Sequence, residues 1–485
     1  MGTTVGGAFV ASAGAMLVCA LVGLFDGESF LEFAFPGLAV LLAGWALLSR
    51  SVAGQRKEVV TRPITGLVAV TLAWALASAV GSIPLLLEGT FSSPLDAYFE
   101  AVSGFTTTGA TLLPDIEAQS QAVLVWRSLM QWLGGIGIIV LVIAIAPVSG
   151  PGVQRAFYAE TSGMVSDRLT PRIIDTAKII AGIYLVLSAA AAVAYLLAGM
   201  GAFDAVNHSM TTIATGGFST RNASIGSFDS RAIETVAVIF MIIGGINFAF
   251  YWRAIRRKSL MPQLSEVLGF LGILVTISAA VAISVFLAGD VKGFGAGLLD
   301  SVFSVTTVIT TTGYTTADFD DWNSFARTTI LVTTFVGACA GSTAGGIKVI
   351  RVMLLGKSAL QEMRRQLRPN AVQVLRVGGH VYREEVRRAV LGFFLIYLVV
   401  FAAGVLAMAA SGLDPLTAIS AASATLNMIG PGLGEIGAFE NFEVMSPFAR
   451  AVSCLLMIAG RLEVFTVVAL GAAMFDRIRS ARLAG

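Results

Sequence analysis

The sequence predicts an all-α integral membrane protein, built from an N-terminal helical hairpin followed by four related helix–loop–helix repeats. Three observations predict this fold class. The chain has 485 residues, of which 56% are hydrophobic and only 13% are charged, whereas soluble proteins carry about 25% charged residues. Apolar runs long enough to cross a bilayer recur along the chain. A short loop rich in threonine and glycine recurs four times between such runs.

The N-terminal hairpin comes first and is predicted to occupy residues 1–62. Apolar runs at 8–25 and 36–49 are joined by a linker that contains Asp26, Glu28 and Glu32. The first run lacks a basic segment before it, and a second run follows closely. These features favour a retained transmembrane helix over a cleaved signal peptide.

Each of the four repeats is predicted to contain a span, a short helix with its loop, and a second span. Together with the hairpin they make ten transmembrane helices. Each predicted repeat is followed in brackets by its first span, its short helix with the loop, and its second span. The repeats are 63–150 (64–86, 94–111, 126–146), 151–258 (173–199, 203–220, 231–251), 259–385 (264–288, 298–316, 327–350) and 386–485 (389–410, 414–434, 448–474).

The recurring loops are the strongest functional signal. When Gly109, Gly216, Gly313 and Gly430 are aligned, the loops lie 107, 97 and 117 residues apart. Recurrence at a near-constant spacing indicates one architectural unit copied along the chain. The loop residues are Thr107, Thr108 and Gly109; Ala214, Thr215 and Gly216; Thr311, Thr312 and Gly313; and Asn427, Met428, Ile429 and Gly430.

Each loop follows a segment that is too short to cross a membrane. Asp96, Asp204, Asp300 and Asp414 open these segments, 13, 12, 13 and 16 residues before the aligned glycine. A helix of a dozen residues reaches about 18 Å, against a bilayer core of about 30 Å. We therefore expect re-entrant half-helices that begin at the aspartate and direct the negative end of their dipole at the loop.

Such a loop could bind a cation through its backbone. Potassium channels replace the water around the ion with rings of backbone carbonyls, and glycine permits the angles that turn successive carbonyls to one axis. We therefore predict a single pore at which the four loops coordinate K⁺. The alternative is four ordinary turns outside the membrane, which the fourfold recurrence disfavours.

The basic residues predict the orientation of the chain. They cluster on alternate turns between the ten spans, and nine lie in the polar segment 351–388. The positive-inside rule then places both termini in the cytosol. The opposite side carries the four loops and is acidic, which could concentrate cations, although topology alone explains its lack of bases. Its carboxylates are Glu88, Asp115, Glu117, Asp229, Asp318, Asp320, Asp321, Glu435, Glu440 and Glu443.

Two features in the second spans suggest a gate. The third repeat contains Gly337, Gly341, Gly345 and Gly346 just before Lys348, and each glycine weakens a helix by about 1 kcal/mol relative to alanine. We predict that 337–346 is a mobile segment below the loops, able to block or clear the path. Close helix packing through small residues is the alternative.

The second feature is Arg461, which lies in the middle of the last span. A charge at that depth costs at least about 2.5–3.5 kcal/mol on insertion scales. We predict that Arg461 faces the ion path and acts as an electrostatic barrier. An ion pair with Glu463 or with another repeat is the alternative, but residues two apart on a helix do not face each other.

These residues together resemble the Trk/Ktr/HKT superfamily of potassium transport proteins, and specifically its TrkH branch. The resemblance covers nearly the whole chain, and the extra N-terminal hairpin favours TrkH over Ktr. It implies a pseudo-fourfold pore within one chain, a homodimer, and a cytosolic TrkA-type regulatory subunit that binds nucleotide and docks on the basic inner face. Glycine at all four aligned positions implies a preference for potassium over sodium. The fourth loop departs from the pattern, with Asn427, Met428 and Ile429 before its glycine.

The expected function is potassium uptake across the cytoplasmic membrane of a prokaryote, with a sodium- or proton-coupled symporter as the alternative. A membrane enzyme is disfavoured because the sequence holds no HExxH, no GxSxG and only two histidines. The sequence contains no glycine-rich phosphate-binding loop, so no organic cofactor is expected. Its basic residues do not form one patch, so binding of nucleic acid is not expected either. Cys19, Cys339 and Cys454 lie in apolar segments without metal or disulfide spacing.

Overall fold

The structure is a computed structural model that describes residues 2–27, 29–54, 63–145, 173–256, 260–291, 293–368, 374–378 and 380–464. Several predicted features lie outside these ranges: Glu28, the basic loops within 55–62, 146–172 and 257–259, and the end of the last span with the basic tail.

The described chain forms sixteen α-helices and one two-stranded hairpin. The helices are α1 (Gly2–Asp26), α2 (Phe30–Gly54), α3 (Pro63–Leu87), α4 (Pro94–Thr106), α5 (Gln121–Ile145), α6 (Ile173–Leu197), α7 (Ala202–Ile213), α8 (Arg231–Gly245), α9 (Phe248–Ile255), α10 (Met261–Ala288), α11 (Phe294–Ile309), α12 (Ser324–Thr333), α13 (Val349–Leu367), α14 (Glu384–Ala410), α15 (Pro415–Leu426) and α16 (Pro447–Arg461). The all-α class is confirmed.

Helices α1 and α2 form the predicted N-terminal hairpin, and glycine lets them approach closely. A Cβ added to Gly6 would lie 3.0 Å from the carbonyl oxygen of Gly44, and one added to Gly44 would lie 3.1 Å from that of Gly6. Small residues of this kind commonly permit close backbone approach between membrane helices.

Helices α4, α7, α11 and α15 are the four predicted short helices, with 13, 12, 16 and 12 residues. Asp414 caps α15 by accepting hydrogen bonds from the backbone of Leu416 and Thr417. Asp96 and Asp204 lie in the first turns of α4 and α7 without capping them. The prediction for Asp300 was wrong, because α11 already begins at Phe294 and this aspartate lies inside the helix.

The second spans of two repeats are interrupted rather than continuous. In the third repeat, helix α12 ends at Thr333 and α13 begins at Val349, so residues 334–348 are not helical. The second repeat breaks as well, with an angle of 89° between α8 and α9. This break differs from the continuous span predicted at 231–251. The adjacent glycines Gly244 and Gly245 lie at the break, but two glycines indicate an interrupted helix less strongly than the four glycines of 337–346.

The predicted polar segment 351–388 contains regular structure. Most of helix α13 lies in it, followed by strands β1 (Leu375–Val377) and β2 (His380–Tyr382), which pair antiparallel with Arg376 opposite Val381. Helix α14 begins at Glu384, so it crosses the boundary predicted between 385 and 386.

Six helices of the described chain are long and apolar enough to cross a membrane, or seven if the bent pair α8 and α9 counts as one span. The chain is therefore a multi-pass membrane protein, while the count of ten spans stays a prediction. The largest apolar core joins the N-terminal hairpin to the first and fourth repeats, through residues such as Phe33, Trp126 and Phe442. The first and last repeats are therefore neighbours.

Candidate ion-coordination site

Four glycine loops, 106–109, 214–217, 310–313 and 427–430, follow the same backbone path. The second residue of each has a positive φ, which is uncommon for a side chain other than glycine: Thr107 (57°), Thr215 (51°), Thr311 (54°) and Met428 (59°). The fourth residue is a glycine that also has a positive φ: Gly109 (82°), Gly217 (80°), Gly313 (83°) and Gly430 (94°).

The hydrogen bonds at the ends of the short helices repeat in the same register. The backbone N–H of the third loop residue donates to the carbonyl five residues earlier, which closes the helix as in a Schellman motif. The pairs are Thr108 to Ser103 (2.9 Å), Gly216 to Thr211 (2.9 Å), Thr312 to Thr307 (2.8 Å) and Ile429 to Ala424 (2.9 Å).

This register corrects the alignment of the second loop by one residue. Gly217, not Gly216, is the equivalent of Gly109, so Gly216 corresponds to Thr108 and Ala214 to Thr106. Gly217 also lies 13 residues after Asp204, the spacing found in the first and third repeats. The sequence misled because two glycines are adjacent there and only one has the left-handed backbone.

The four loops close into a ring. A Cβ added to any of the four glycines would lie under 3.0 Å from a carbonyl oxygen of the next loop, a distance that real Cβ atoms essentially never show. The contacts run from Gly109 to Gly216, from Gly217 to Thr312, from Gly313 to Ile429 and from Gly430 to Thr108. The order is cyclic, so the third-residue carbonyls of all four loops surround one axis.

A cavity of about 70 Å³ lies directly against this ring and includes all four glycines in its wall. Of the ten carboxylates expected at the entrance, only Glu440 is among the lining residues, together with Arg127 and Arg221. The predicted carboxylate rim therefore does not line the cavity next to the loops, although Asp115, Glu117 and others are exposed nearby.

Both arginines have carboxylate partners. Arg127 is buried and donates to Glu100 at 2.9 Å, and its guanidinium lies 4.1 Å from the centre of the Phe218 ring. Arg221 donates to Asp204 at 2.7 Å, and this bond raises the pKa of the guanidinium. The positive charges beside the ring are therefore balanced within the protein.

On the other side of the loops, the non-helical segment 334–348 packs against three of them. Gly345 N–H donates to Thr311 Oγ1 at 2.6 Å, and Thr215 Oγ1 donates to Thr343 Oγ1 at 3.1 Å. A Cβ on Gly345 would also lie under 3.0 Å from the carbonyl oxygen of Asn427. The segment therefore lies across the second, third and fourth loops, on the side away from that cavity.

The glycines predicted as gating residues allow this segment to fold back on itself. Gly337 N–H donates to the carbonyl of Ile347 at 2.9 Å, and Gly341 and Gly346 have φ values of 72° and 66°. Lys348 lies at the start of α13, and its ammonium donates to the carbonyl of Ala344. Helix packing through small residues does not describe a segment with this backbone.

Arg461 is 2% exposed and links this segment to the first repeat. Its guanidinium donates to the carbonyl of Thr343 at 2.9 Å and to that of Gly134 at 2.8 Å. The direct pair with Glu463 that we had considered unlikely is not formed in the described chain, because Glu463 accepts from Arg351 at 2.6 Å.

Comparison with known proteins agrees with this geometry. Residues 43–287 and 291–480 match the family model described as "TrkH: Cation transport protein". The chain belongs to the TrkH family. Its members include the Trk system potassium uptake proteins TrkH of Escherichia coli K12 and of Salmonella typhimurium, each 38% identical over 472 residues and covering 96% of both chains.

A solved TrkH structure shares the fold. The chain is similar to the crystal structure of the potassium transporter TrkH from Vibrio parahaemolyticus, with a TM-score of 0.86 and 35% identity over 97% of this chain and 98% of that one. The family is one of transport proteins, so this TrkH-family chain is not an enzyme.

One residue behind the ring was missed by the sequence analysis. Gln131 of α5 is fully buried, and its side chain contacts both Gly216 and Phe218 of the second loop. A glutamine within an otherwise apolar span was a usable signal, since a buried amide must find partners for its donor and acceptor.

Proposed function

We propose that this chain takes up potassium across the cytoplasmic membrane of a bacterium through a gated, channel-like filter. The observation that carries the proposal is the cyclic ring in which each loop glycine lies against a carbonyl of the next loop. Rings of backbone carbonyls are how potassium filters replace the hydration shell of the ion. The names of the TrkH relatives from three bacterial species support potassium as the substrate.

The proposed ligands are backbone carbonyls of the second and third loop residues. They are those of Thr107 and Thr108, Thr215 and Gly216, Thr311 and Thr312, and Met428 and Ile429. A ring that uses main-chain oxygens tolerates Met428 and Ile429 in the fourth loop, because their side chains are not needed as ligands. Asn427 lies one residue earlier, at the level where Gly345 approaches.

In this proposal the segment 334–348 is the gate, and Arg461 holds it closed. The support comes from the hydrogen bonds of this segment to two loops and from the two carbonyls that Arg461 bridges. The guanidinium of Arg461 thus acts mainly through its hydrogen bonds, which hold the segment beneath the filter, rather than as an electrostatic barrier in the ion path.

The remaining parts of the proposal concern the assembly. We place both termini in the cytosol and expect a homodimer regulated by a nucleotide-binding subunit of the TrkA type. The basic inner face supports such a docking site: a groove of about 710 Å³ lies between α13 and the β-hairpin, and Lys357, Arg364 and Arg376 help to line it.

The decisive test is isotope flux into vesicles that contain the purified protein. We expect downhill rubidium uptake that exceeds sodium uptake and ignores imposed sodium and pH gradients. Uptake that strictly requires one of those gradients would favour the alternative, a coupled symporter. Absence of rubidium uptake under any gradient would contradict the proposal as a whole.

A further inference from the structure

The four loops differ in what lies behind the third residue. Three loops have a side chain there, on Thr108, Thr312 and Ile429, whereas the second has only Gly216. The space that a side chain would take is filled by Gln131, because a Cβ on Gly216 would lie under 3.0 Å from the amide atoms of that side chain.

The amide of Gln131 makes two hydrogen bonds to the second loop. Its Nε2 donates to the carbonyl of Gly216 at 2.6 Å, and its Oε1 accepts from the N–H of Phe218 at 3.0 Å. Both bonds are buried inside the protein. They span Gly217, the loop glycine with a positive φ, and therefore hold the loop on both sides of a residue whose backbone is intrinsically permissive.

The second spans of the second and fourth repeats place a different residue at the position of Gln131. These two spans and that of the first repeat each have a glycine that lies close to the end of the short helix in its own repeat. There the glycine approaches the backbone carbonyl of the residue four positions before the loop glycine. The pairs are Gly134 with Phe105, Gly244 with Ile213, and Gly460 with Leu426. The three glycines thus occupy equivalent positions, and the residues three before them are Gln131, Met241 and Met457. Among these three repeats, only the first presents an amide.

We propose that Gln131 is a positioning residue that sets the ion preference of the filter by fixing the carbonyl of Gly216. The proposal rests on the proposed function, since it assumes that this carbonyl is an ion ligand. The hydrogen bond from Nε2 orients the carbonyl and takes one of its two lone pairs, so this quarter of the ring is stiffer than the rest. Gln131 and Gly216 form a matched pair, in which the amide replaces the missing side chain.

The first test is Gln131→Met, which inserts the residue found at the equivalent positions of the second and fourth repeats. We expect the variant to fold and the ratio of rubidium to sodium flux in vesicles to fall about two- to tenfold, the range expected for one lost hydrogen bond. Met241→Leu is the matched control and should leave the ratio unchanged. An unchanged ratio in Gln131→Met would overturn the proposal.

The pairing itself is tested by substitution at both positions. Gly216→Thr alone places a side chain where Gln131 already lies, and we expect it to abolish selective flux. Combined with Gln131→Ala, the same threonine recreates the first and third loops, and selectivity should partly return. If the double variant is no better than Gly216→Thr, the pairing is wrong.

Thermal unfolding in detergent separates this inference from the proposed function. Gly216→Thr should lower the melting temperature by more in the presence of Gln131 than in the Gln131→Ala background. This result would support the pairing even if the unmodified protein carried no rubidium, in which case the proposed function and the effect on ion preference fail while the pairing of Gln131 with Gly216 stands. Equal shifts in both backgrounds would overturn the pairing.

Discussion

At the scale of the residue, the four loop glycines carry the sharpest prediction. A Cβ at Gly313 would lie under 3.0 Å from the carbonyl oxygen of Ile429, so Gly313→Ser must displace that carbonyl or its own loop. We expect the preference for rubidium over sodium to fall by about tenfold or more, equivalent to about 1.4 kcal/mol of differential binding. Flux of both ions into vesicles measures the change.

A matched control separates the contact from backbone strain. Gly289 has a φ of 79°, close to the 83° of Gly313, but a Cβ added there would meet nothing within 4 Å. Gly289→Ser therefore carries the same left-handed strain without the carbonyl contact, and its selectivity should stay unchanged. If both variants lost selectivity equally, the ring contact would not be the cause.

Arg461 gives the second prediction at this scale. Hydrogen bonds from a charged group contribute about 1.5–3 kcal/mol each, and Arg461 makes two to backbone carbonyls. Arg461→Ala should free the 334–348 segment and raise unregulated rubidium flux at least about tenfold. The exposed Arg365 of α13 is a suitable control, and Arg365→Ala should have no effect. A folded Arg461→Ala protein that conducts no better would contradict the proposed role of these hydrogen bonds.

At the scale of the element, the short helices could be predicted and the broken spans only in part. The lengths of α4, α7 and α15 follow from the distance between an acidic residue and a loop glycine. The break before α9 was indicated only weakly by the adjacent glycines Gly244 and Gly245, because it also involves Gly341, whose carbonyl accepts from Phe248 N–H. That contact joins residues more than 90 positions apart, and local helix propensity carries no information about it.

The same limit explains the loop register. Sequence reasoning could locate four glycine loops, but Gly216 and Gly217 are equally good candidates from composition alone. Their roles are separated by neighbours in space: Gln131 excludes a side chain at Gly216, and the carbonyl of Thr312 excludes one at Gly217. A site formed between repeats is fixed by such contacts, which no single repeat encodes.

Asn247 offers a prediction about the broken span. Its Oδ1 accepts from the N–H of Ala249 at 2.8 Å and caps α9, and such a cap contributes about 1 kcal/mol. Asn247→Ala should lower the stability by that amount in thermal unfolding. It should also raise unregulated flux, because the break supports the 334–348 segment through the bond from Cys339 N–H to the carbonyl of Gly245.

The comparison for this variant is Asn441→Ala. Asn441 caps the short 3₁₀ turn at Phe442–Val444 on the side of the loops that carries the acidic segments. Its removal should change stability by a similar or smaller amount and leave flux alone. If Asn247→Ala lowers the stability without any rise in flux, the break between α8 and α9 does not support the 334–348 segment as a gate.

At the scale of the whole molecule, polar contacts link each repeat to the next around the ring. Asn222 Oδ1 accepts from Ile116 N–H at 2.7 Å between the first and second repeats, and Arg231 donates to Asp300 at 2.6 Å between the second and third. Asp320 Oδ2 accepts from Gly434 N–H at 2.8 Å between the third and fourth. Asp300, which was predicted to begin a short helix, thus has a different role: it pairs with Arg231 across the boundary, or seam, between two repeats.

The fourth seam closes the ring, and it joins residues from opposite ends of the repeats. Arg450 of α16 donates to Asp96 of α4 at 2.7 Å, and both side chains are less than one-fifth exposed. Because partial burial weakens screening by solvent and salt, a double-mutant cycle with Arg450→Ala and Asp96→Ala should give a coupling of about 1 kcal/mol in thermal unfolding. The exposed pair Arg388 and Glu384, four residues apart on one helix, should give about 0.3 kcal/mol. Equal coupling in the two pairs would mean that the closing contact is no stronger than an ordinary surface ion pair, and that the apolar core shared by the first and fourth repeats holds the ring together by itself.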